Sequence, residues 1–488
     1  MPFSQACFIW GRPIWVSKEA NSDEIEAKRV ELEIALNQLG EEADHLMAIE
    51  AEPRKTRDFL GGCMFGIYNI ALALGSPVIL GMLLAKKRCR RGLTQRLGWL
   101  PTRLAEDCRD GQTLWIHAVS MGEVNAVVPL VQELKTRDPR LRVVVSTVTE
   151  TGKETVTRRL EGLAQHIYFP LDYPLVVRKV LGVIRPRLIL IVETELWPNF
   201  LRAAAARRIQ CVLVNGRLST DSFKGYLRLR PFFSRIVKSL SLCLMQSDRD
   251  VHRIVALGAD PTRVIRTGNL KFDQKPFGLS VHPIQLGLQP HEELFVAGST
   301  HPIEEEAVLD CYRRVLNIAP SLVLVVAPRH VERVEALEAM ARARGFAVLR
   351  RTAVDRHPAL RGPRVVLLDT CGELAAIYSQ AAVVFVGGSL VPIGGHSPLE
   401  PASCGKAVVF GPHMDHFAEV ADMLVSQGGG IQIHDAEEMA VALEGLLKDR
   451  ARLQRMGRAA EQIVRANQGT VAKNADLIVE LLLSKARC

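Results

Sequence analysis

From Leu114 onward, short apolar runs alternate with stretches of helical pattern: LWIHAVS, GEVNAVVPLVQELK, LRVVVSTVT, RPRLILIVETE and IQCVLVNGR follow one another. This alternation predicts an α/β fold in which parallel sheets are covered by helices. It continues through CLMQS and VIRTGN, breaks at a Pro- and Gly-bearing connection near Gln274 to Pro290, and resumes with LFVAGST, SLVLVVAP, VVLLDT, AVVFVGG and AVVFGP. Two doubly wound domains are therefore expected, at residues 92–275 and 291–488, with 276–290 as linker. From Ala436 only helices are expected, and in two-lobed folds such a tail often crosses back to the first domain. With 488 residues, nearly half of them apolar, the chain has the material for cores of this size.

The balance of charge is basic, +9, which suits a phosphate-rich partner: nucleic acid, anionic lipid or a nucleotide. Nucleic acid is disfavoured, because aromatic residues are few and no basic stretch is interleaved with them. The ten cysteines form no C-x-x-C pair and no Cys/His cluster, which argues for reduced buried thiols rather than a zinc site or disulfide framework. The residues after Met1 do not read as a secretory signal.

Residues 64–85, MFGIYNIALALGSPVILGMLLA, carry no charge, and KKRCRR follows at once. The length would just span a hydrocarbon core. Pro77, three glycines and Asn69 speak about as much for a helix lying in the membrane interface, and a helix buried in the protein core is the third reading. Both membrane readings set Lys86, Lys87, Arg88, Arg90 and Arg91 against the anionic cytoplasmic leaflet of a membrane, with the remaining chain in the cytoplasm. The segment 64–91 is thus read as membrane-associated. Upstream, Ile25, Leu32, Leu36, Leu39, Ala43 and Leu46 mark one stripe of a charged helix.

In open parallel sheets, ligands gather at the C-terminal ends of the strands. The first such loop, HAVSMGE, puts Glu123 at a helix start, where a carboxylate either complements the dipole or acts as a base. The strand IVETE ends in Glu193 and Glu195, which alternation would place on one face as two like charges. The loop TGNLKFD brings Lys271 to the same sheet edge, able to hold a phosphate or a sugar carboxylate. In the second domain, GGSLVPIGGHSPLE makes an anion site of backbone N–H groups at a helix N-terminus, with Glu400 placed to accept from ribose hydroxyls. DTCGEL adds Gly372 and Glu373, and APRH adds Arg329.

Asp248 and Asp250 in QSDRD have the look of a metal-binding D-x-D, but they open a helix, where an N-cap aspartate is expected. His413, Asp415 and His416 could likewise suggest a metal, but their spacing on a loop speaks against it.

Together these strings resemble the 3-deoxy-D-manno-oct-2-ulosonic acid (Kdo) transferases of lipopolysaccharide synthesis. The matching segments run from YNIALAL and QRLGWLP through HAVSMGE, TVTETG, VETELWPN, VNGRLS, GNLKFD and GSTH to APRHVER, GELAAIY, FVGGSLVPIGGHSPLEP and FGPHMDHF. The resemblance implies a GT-B fold of two Rossmann-like domains facing across a cleft. It implies CMP-Kdo as donor, bound mainly by the C-terminal domain, and a lipid A precursor (lipid IVA) as acceptor in the N-terminal one.

By the same resemblance Glu123 is the base that takes the proton from a glucosamine 6-hydroxyl as it attacks Kdo with inversion. Glu193 and Lys271 stabilise the transition state, and Pro328, Arg329, Gly372, Glu373, Ser397, Pro398, Leu399 and Glu400 bind the nucleotide. CMP leaves as a phosphate monoester that needs no protonation, so a partnering acid is dispensable, and the resemblance implies an enzyme with neither metal nor cofactor. Ser397 stands where the family usually has Asn, and His416 occupies its GPHMxNF position. Both departures should tune nucleotide affinity. Residues 1–63 resemble the C-terminal end of a lysophospholipid-acyltransferase-like family, as a fusion remnant or a mis-called start would.

Two rivals share many of these features. A GT-B enzyme using a UDP-sugar, or epimerising it, would share the fold and the glycine-rich loop, and only the CMP-type strings separate the two. A non-catalytic membrane-associated binding protein should have lost one of Glu123, Glu193 or Lys271, and all three are present.

Overall fold

The structure is a computed structural model that describes residues 56–85, 90–109, 112–274, 284–356 and 363–484, with Lys28, Leu32 and Ala35 as isolated positions. The rest of the N-terminal extension, most of its apolar stripe, and Lys86, Lys87 and Arg88 lie outside the described residues, as does most of the expected linker.

The chain divides into two compact units, Met1–Gln274 with Gly469–Cys488, and Lys275–Gln468. The division differs from the expected extent of the second domain, 291–488, because the last helix belongs to the first unit. Thr470–Ser484 buries Val471, Ala475 and Ile478 in the core formed by the helix Met121–Arg137. The Asp273 carboxylate accepts from Gly469 N (2.8 Å) and from Val471 N, so both residues at that helix start are anchored to the end of the first sheet.

Among the described residues of the first unit, seven strands form one parallel sheet: β1 Thr113–His117, β2 Arg142–Thr147, β3 Gln165–Tyr168, β4 Pro186–Val192, β5 Gln210–Gly216, β6 Leu242–Met245 and β7 Val264–Arg266. Their spatial order is β3-β2-β1-β4-β5-β6-β7. Strands flanked by helices on both sides must be apolar throughout, and β1 and β5 are buried along nearly their whole lengths. The helices start where the sequence permits: Pro174 and Pro198 sit at first helical positions, where their missing N–H costs nothing.

The second unit repeats the plan with β8 Glu293–Thr300, β9 Leu322–Pro328, β10 Ala347–Arg350, β11 Arg364–Leu367, β12 Ala381–Val386, β13 Ala407–Phe410 and β14 Gly430–Gln432. The order is β10-β11-β9-β8-β12-β13-β14. Each sheet reverses its winding once, between β1 and β4 and between β8 and β12. Such switch points open crevices at the C-terminal strand ends.

The N-terminal helix, Thr56–Ala85, is docked on the first unit along one side. Phe65 packs edge-on against Phe232 (4.9 Å between ring centroids), Tyr68 Oη donates to Asp172 Oδ2 (2.9 Å), and Ser76 and Tyr173 share a hydrogen bond (2.7 Å). The other side is exposed: Ile67, Ile70, Leu74 and Val78 are between 62% and 78% accessible. Among the described residues no helix is long and apolar enough to cross a membrane.

Candidate active site

At the first switch point the loop after β1 delivers Glu123. Ser120 is the N-cap of the helix Met121–Arg137, and Glu123 is its third residue. The spacing S-x-x-E folds the carboxylate back onto the helix start: Val119 N donates to Oε2 (2.8 Å) and Ser120 Oγ to Oε1 (3.0 Å).

Two other helix starts use the same device. In one, Ser247 caps and Asp250 turns back to accept from Ser247 Oγ, its other oxygen accepting from Leu218 N (2.8 Å) on a neighbouring loop. In the other, His301 is the cap residue and Glu304 accepts from His301 N (3.0 Å). The cap of QSDRD is therefore Ser247 and not an aspartate, because its hydroxyl receives the Asp250 N–H.

What sets Glu123 apart is its surroundings. It is 8% exposed, and burial, then the charge of Glu193, push its carboxyl up to about 7; Glu195 adds to this, while the Val119 and Ser120 bonds oppose it. A carboxyl poised there is half ionised at neutral pH, the condition in which a general base works best.

Glu193 and Glu195 do not continue β4, as strand alternation suggested. The strand ends at Val192, and Glu193 takes a left-handed backbone (φ 56°) while its N–H donates to Val214 O (3.0 Å). The chain turns at the sheet edge, so Glu193 meets Lys271 across it: Nζ to Oε1 is 3.8 Å. Burial, then Glu193, also push the Glu195 carboxyl up. Glu123, Glu193 and Lys271 thus share one strand-end crevice, held by three separate loops.

The second unit gathers its candidate residues at its own switch point. Glu304 is fully buried and its carboxylate accepts four backbone N–H groups, from His301, Gly388 (2.7 Å), Ser389 (2.9 Å) and Leu390 (2.9 Å). It ties the loop after β8 to the glycine-rich loop after β12. Gly388 has φ 68°, and a Cβ there would stand 2.8 Å from the His396 ring, so the loop requires glycine at this position.

His396 Nε2 lies 3.0 Å from His301 Nε2 with the rings parallel. Burial, then Arg329, hold the His396 imidazole down to about 3, so it is neutral near pH 7. Arg329 follows Pro328 at the end of β9, its N–H donating to Thr300 O (2.9 Å). Gly372 (φ 90°) and Glu373 precede the short helix Leu374–Tyr378, with Glu373 Oε1 3.4 Å from Arg351. Ser397 and Pro398 lead into Leu399–Ser403, with Glu400 in its first turn.

Sequence reasoning missed His301, His396 and Glu304. The signal was available in GSTHPIEE, where a carboxylate follows a possible cap by three residues. Among the described residues no group of three or more His, Cys, Asp or Glu is arranged to hold a metal ion.

Two parallel Rossmann-like units, each with its polar residues at a switch point, are the architecture of a GT-B glycosyltransferase. The crystal structure of UDP-GlcNAc 2-epimerase from Neisseria meningitidis shares this fold, with a TM-score of 0.51 at 12% identity over 76% of this chain and all of that one. The family model described as 3-deoxy-D-manno-octulosonic-acid transferase (kdotransferase) matches residues 91–274.

The 3-deoxy-D-manno-octulosonic acid transferase of Haemophilus influenzae is 32% identical over 419 residues, 84% of this chain and 97% of that protein. That of Rickettsia felis is 30% identical across 74% of this chain and 80% of its own. The chain belongs to the Kdo transferase family, and it is a Kdo glycosyltransferase.

Proposed function

We propose that the chain moves Kdo from CMP-Kdo to the 6-hydroxyl of a lipid A precursor, with inversion and without a metal. The observation that carries this reading is the carboxyl of Glu123, raised to about 7 by burial and by Glu193 while two hydrogen bonds fix its direction.

In its ionised form Glu123 accepts the acceptor's hydroxyl proton as the oxygen bonds to the anomeric carbon of Kdo and the bond to the CMP phosphate breaks. The departing phosphate carries its own charge and needs no acid. Lys271, paired with Glu193, supplies a cation to the negative charge that develops, and Glu193 keeps that ammonium in place. In the second unit Arg329, the backbone N–H groups of the glycine-rich loop and Glu400 hold the nucleotide.

The place of work is the cytoplasmic face of the inner membrane. The exposed large apolar residues of the N-terminal helix recur at 67, 70, 74 and 78, one face of a helix, which suits insertion into the interface rather than across it. Trp99 (61% exposed) stands under the Lys179 ammonium (4.2 Å), and Leu175 is 79% exposed, adding an aromatic and basic fringe typical of lipid headgroup depth.

The test incubates the purified protein with a lipid A precursor and CMP-Kdo generated in place, then weighs the lipid. Addition of Kdo supports the reading. No increase in mass, or transfer from a UDP-sugar instead, rejects it.

A further inference from the structure

Behind the Glu193–Lys271 pair runs a chain of buried amides. Asn215, at the end of β5, is fully buried and left-handed (φ 55°), a conformation Asn tolerates and branched residues do not. Its Oδ1 accepts from Leu270 N (2.9 Å), and its carbonyl oxygen accepts from Gln246 Nε2 (2.9 Å). Gln246 Oε1 accepts from Asn269 Nδ2 (3.1 Å), and Asn269 Oδ1 accepts from Lys271 N (3.0 Å). The circuit begins at Asn215 and returns, three bonds later, to the backbone N–H of Lys271, beside Leu270. Glu193 hangs on the neighbouring residue of β5, through Val214 O.

The ammonium of a lysine is carried on four rotatable bonds, so its position depends first on where its backbone is fixed. Lys271 sits in a single short turn, Leu270–Asp273, after a strand of three residues, and such a segment has few backbone bonds of its own to fix it. The three amides supply them. They reference the backbone of Lys271 to Asn215, the residue of β5 next to Val214, whose carbonyl oxygen receives the Glu193 N–H. We propose that Asn215, Gln246 and Asn269 are positioning residues that hold Lys271 at its distance from Glu193 and so set the turnover of Kdo transfer. This rests on the role given to Lys271 above.

Glycine at 215 keeps the backbone conformation and deletes the acceptor; aspartate keeps both. The Asn215 Nδ2 group has no hydrogen-bond partner among the described residues, so its loss in Asn215→Asp breaks no contact. The experiment measures kcat and KM of the full chain for Asn215→Gly, Asn215→Asp, Lys271→Met and the double variant Lys271→Met with Asn215→Gly.

Asn215→Gly is expected to lower kcat about 10- to 100-fold, the scale of a misplaced catalytic group, with both KM values within about twofold of wild type. Asn215→Asp should recover most of that loss. On the Lys271→Met background Asn215→Gly should cost less than about twofold, since residues acting through one another are not additive. If Asn215→Gly does not fold, Asn269→Ala takes its place in the same cycle.

Wild-type kcat in the folded glycine variant, or an equal fold-loss on both backgrounds, overturns the positioning role alone. Wild-type turnover in Lys271→Met overturns the role of Lys271 itself and the amide circuit's function with it.

Discussion

Lys271 Nζ stands 3.8 Å from Glu193 Oε1, with side chains 12% and 24% exposed. The separation is at the loose end of an ion pair, which leaves the ammonium able to turn to a substrate anion while the carboxylate keeps it nearby. The same carboxylate is also the chief charge raising Glu123.

A double effect of Glu193→Gln follows. Turnover falls, because Lys271 loses its partner, and the acid limb of the pH–rate profile moves below about 7, because one cause of the Glu123 shift is gone. A pH series of kcat/KM on both proteins checks it. An unmoved limb would mean that the titrating group is not Glu123.

The raised carboxyl also has a sign in stability. A group at about 7 in the folded state and near 4.5 unfolded favours folding at low pH, and that contribution is lost as pH rises from about 4.5 through about 7. Glu123→Gln removes the buried charge, so it should be more stable than wild type at pH 8, by ~1–3 kcal/mol or about 2–4 °C of Tm per kcal/mol, while losing activity. Near pH 4 the two should melt together. Thermal melts at both pH values decide this.

The glycine-rich loop of the second unit depends on one carboxylate. Glu304→Gln keeps one of the two accepting oxygens and places an amide N–H among donors. With hydrogen bonds to a charged group worth ~1.5–3 kcal/mol, the KM for CMP-Kdo should rise about 10- to 100-fold while that for the lipid acceptor stays put. Initial rates with each substrate varied in turn distinguish this from a general loss.

The exposed face of the N-terminal helix makes a further claim. Leu74→Glu with Val78→Glu should abolish co-sedimentation with phosphatidylglycerol vesicles, since both residues point away from the protein. Activity on a detergent-solubilised acceptor should survive. Ala substitution of Phe65, which packs inward on Phe232, should instead cost stability, about 3–5 kcal/mol if the cavity does not collapse.

The periodicity of the sequence carried the two sheets, because parallel strands buried on both faces leave unbroken apolar runs such as LILIV and LVLVV. It also placed Glu123, Glu193 and Lys271 at strand ends of one sheet. What it did not carry were features that need a positive φ or a partner distant in sequence. Glu193 reads as the next residue of a strand, and only the turn at its own backbone removes it from the alternation. Glu304 reads as an ordinary first-turn carboxylate, and its bonds to residues 84 to 86 positions away appear only when β8 and β12 lie side by side. That the helical tail crosses back to the first unit was expected of a two-lobed fold, but the point of crossing was not, because it depends on Asp273, which nothing local marks as a cap for Gly469.

Whether Glu123 is the base is decided by the rate of Kdo transfer to the lipid A precursor by Glu123→Gln at pH 8, followed by mass spectrometry beside wild type. The variant keeps the size and the Val119 contact of the carboxylate, so it should fold and its kcat should be lower by about 10²- to 10⁴-fold. Turnover within a few-fold of wild type would contradict it.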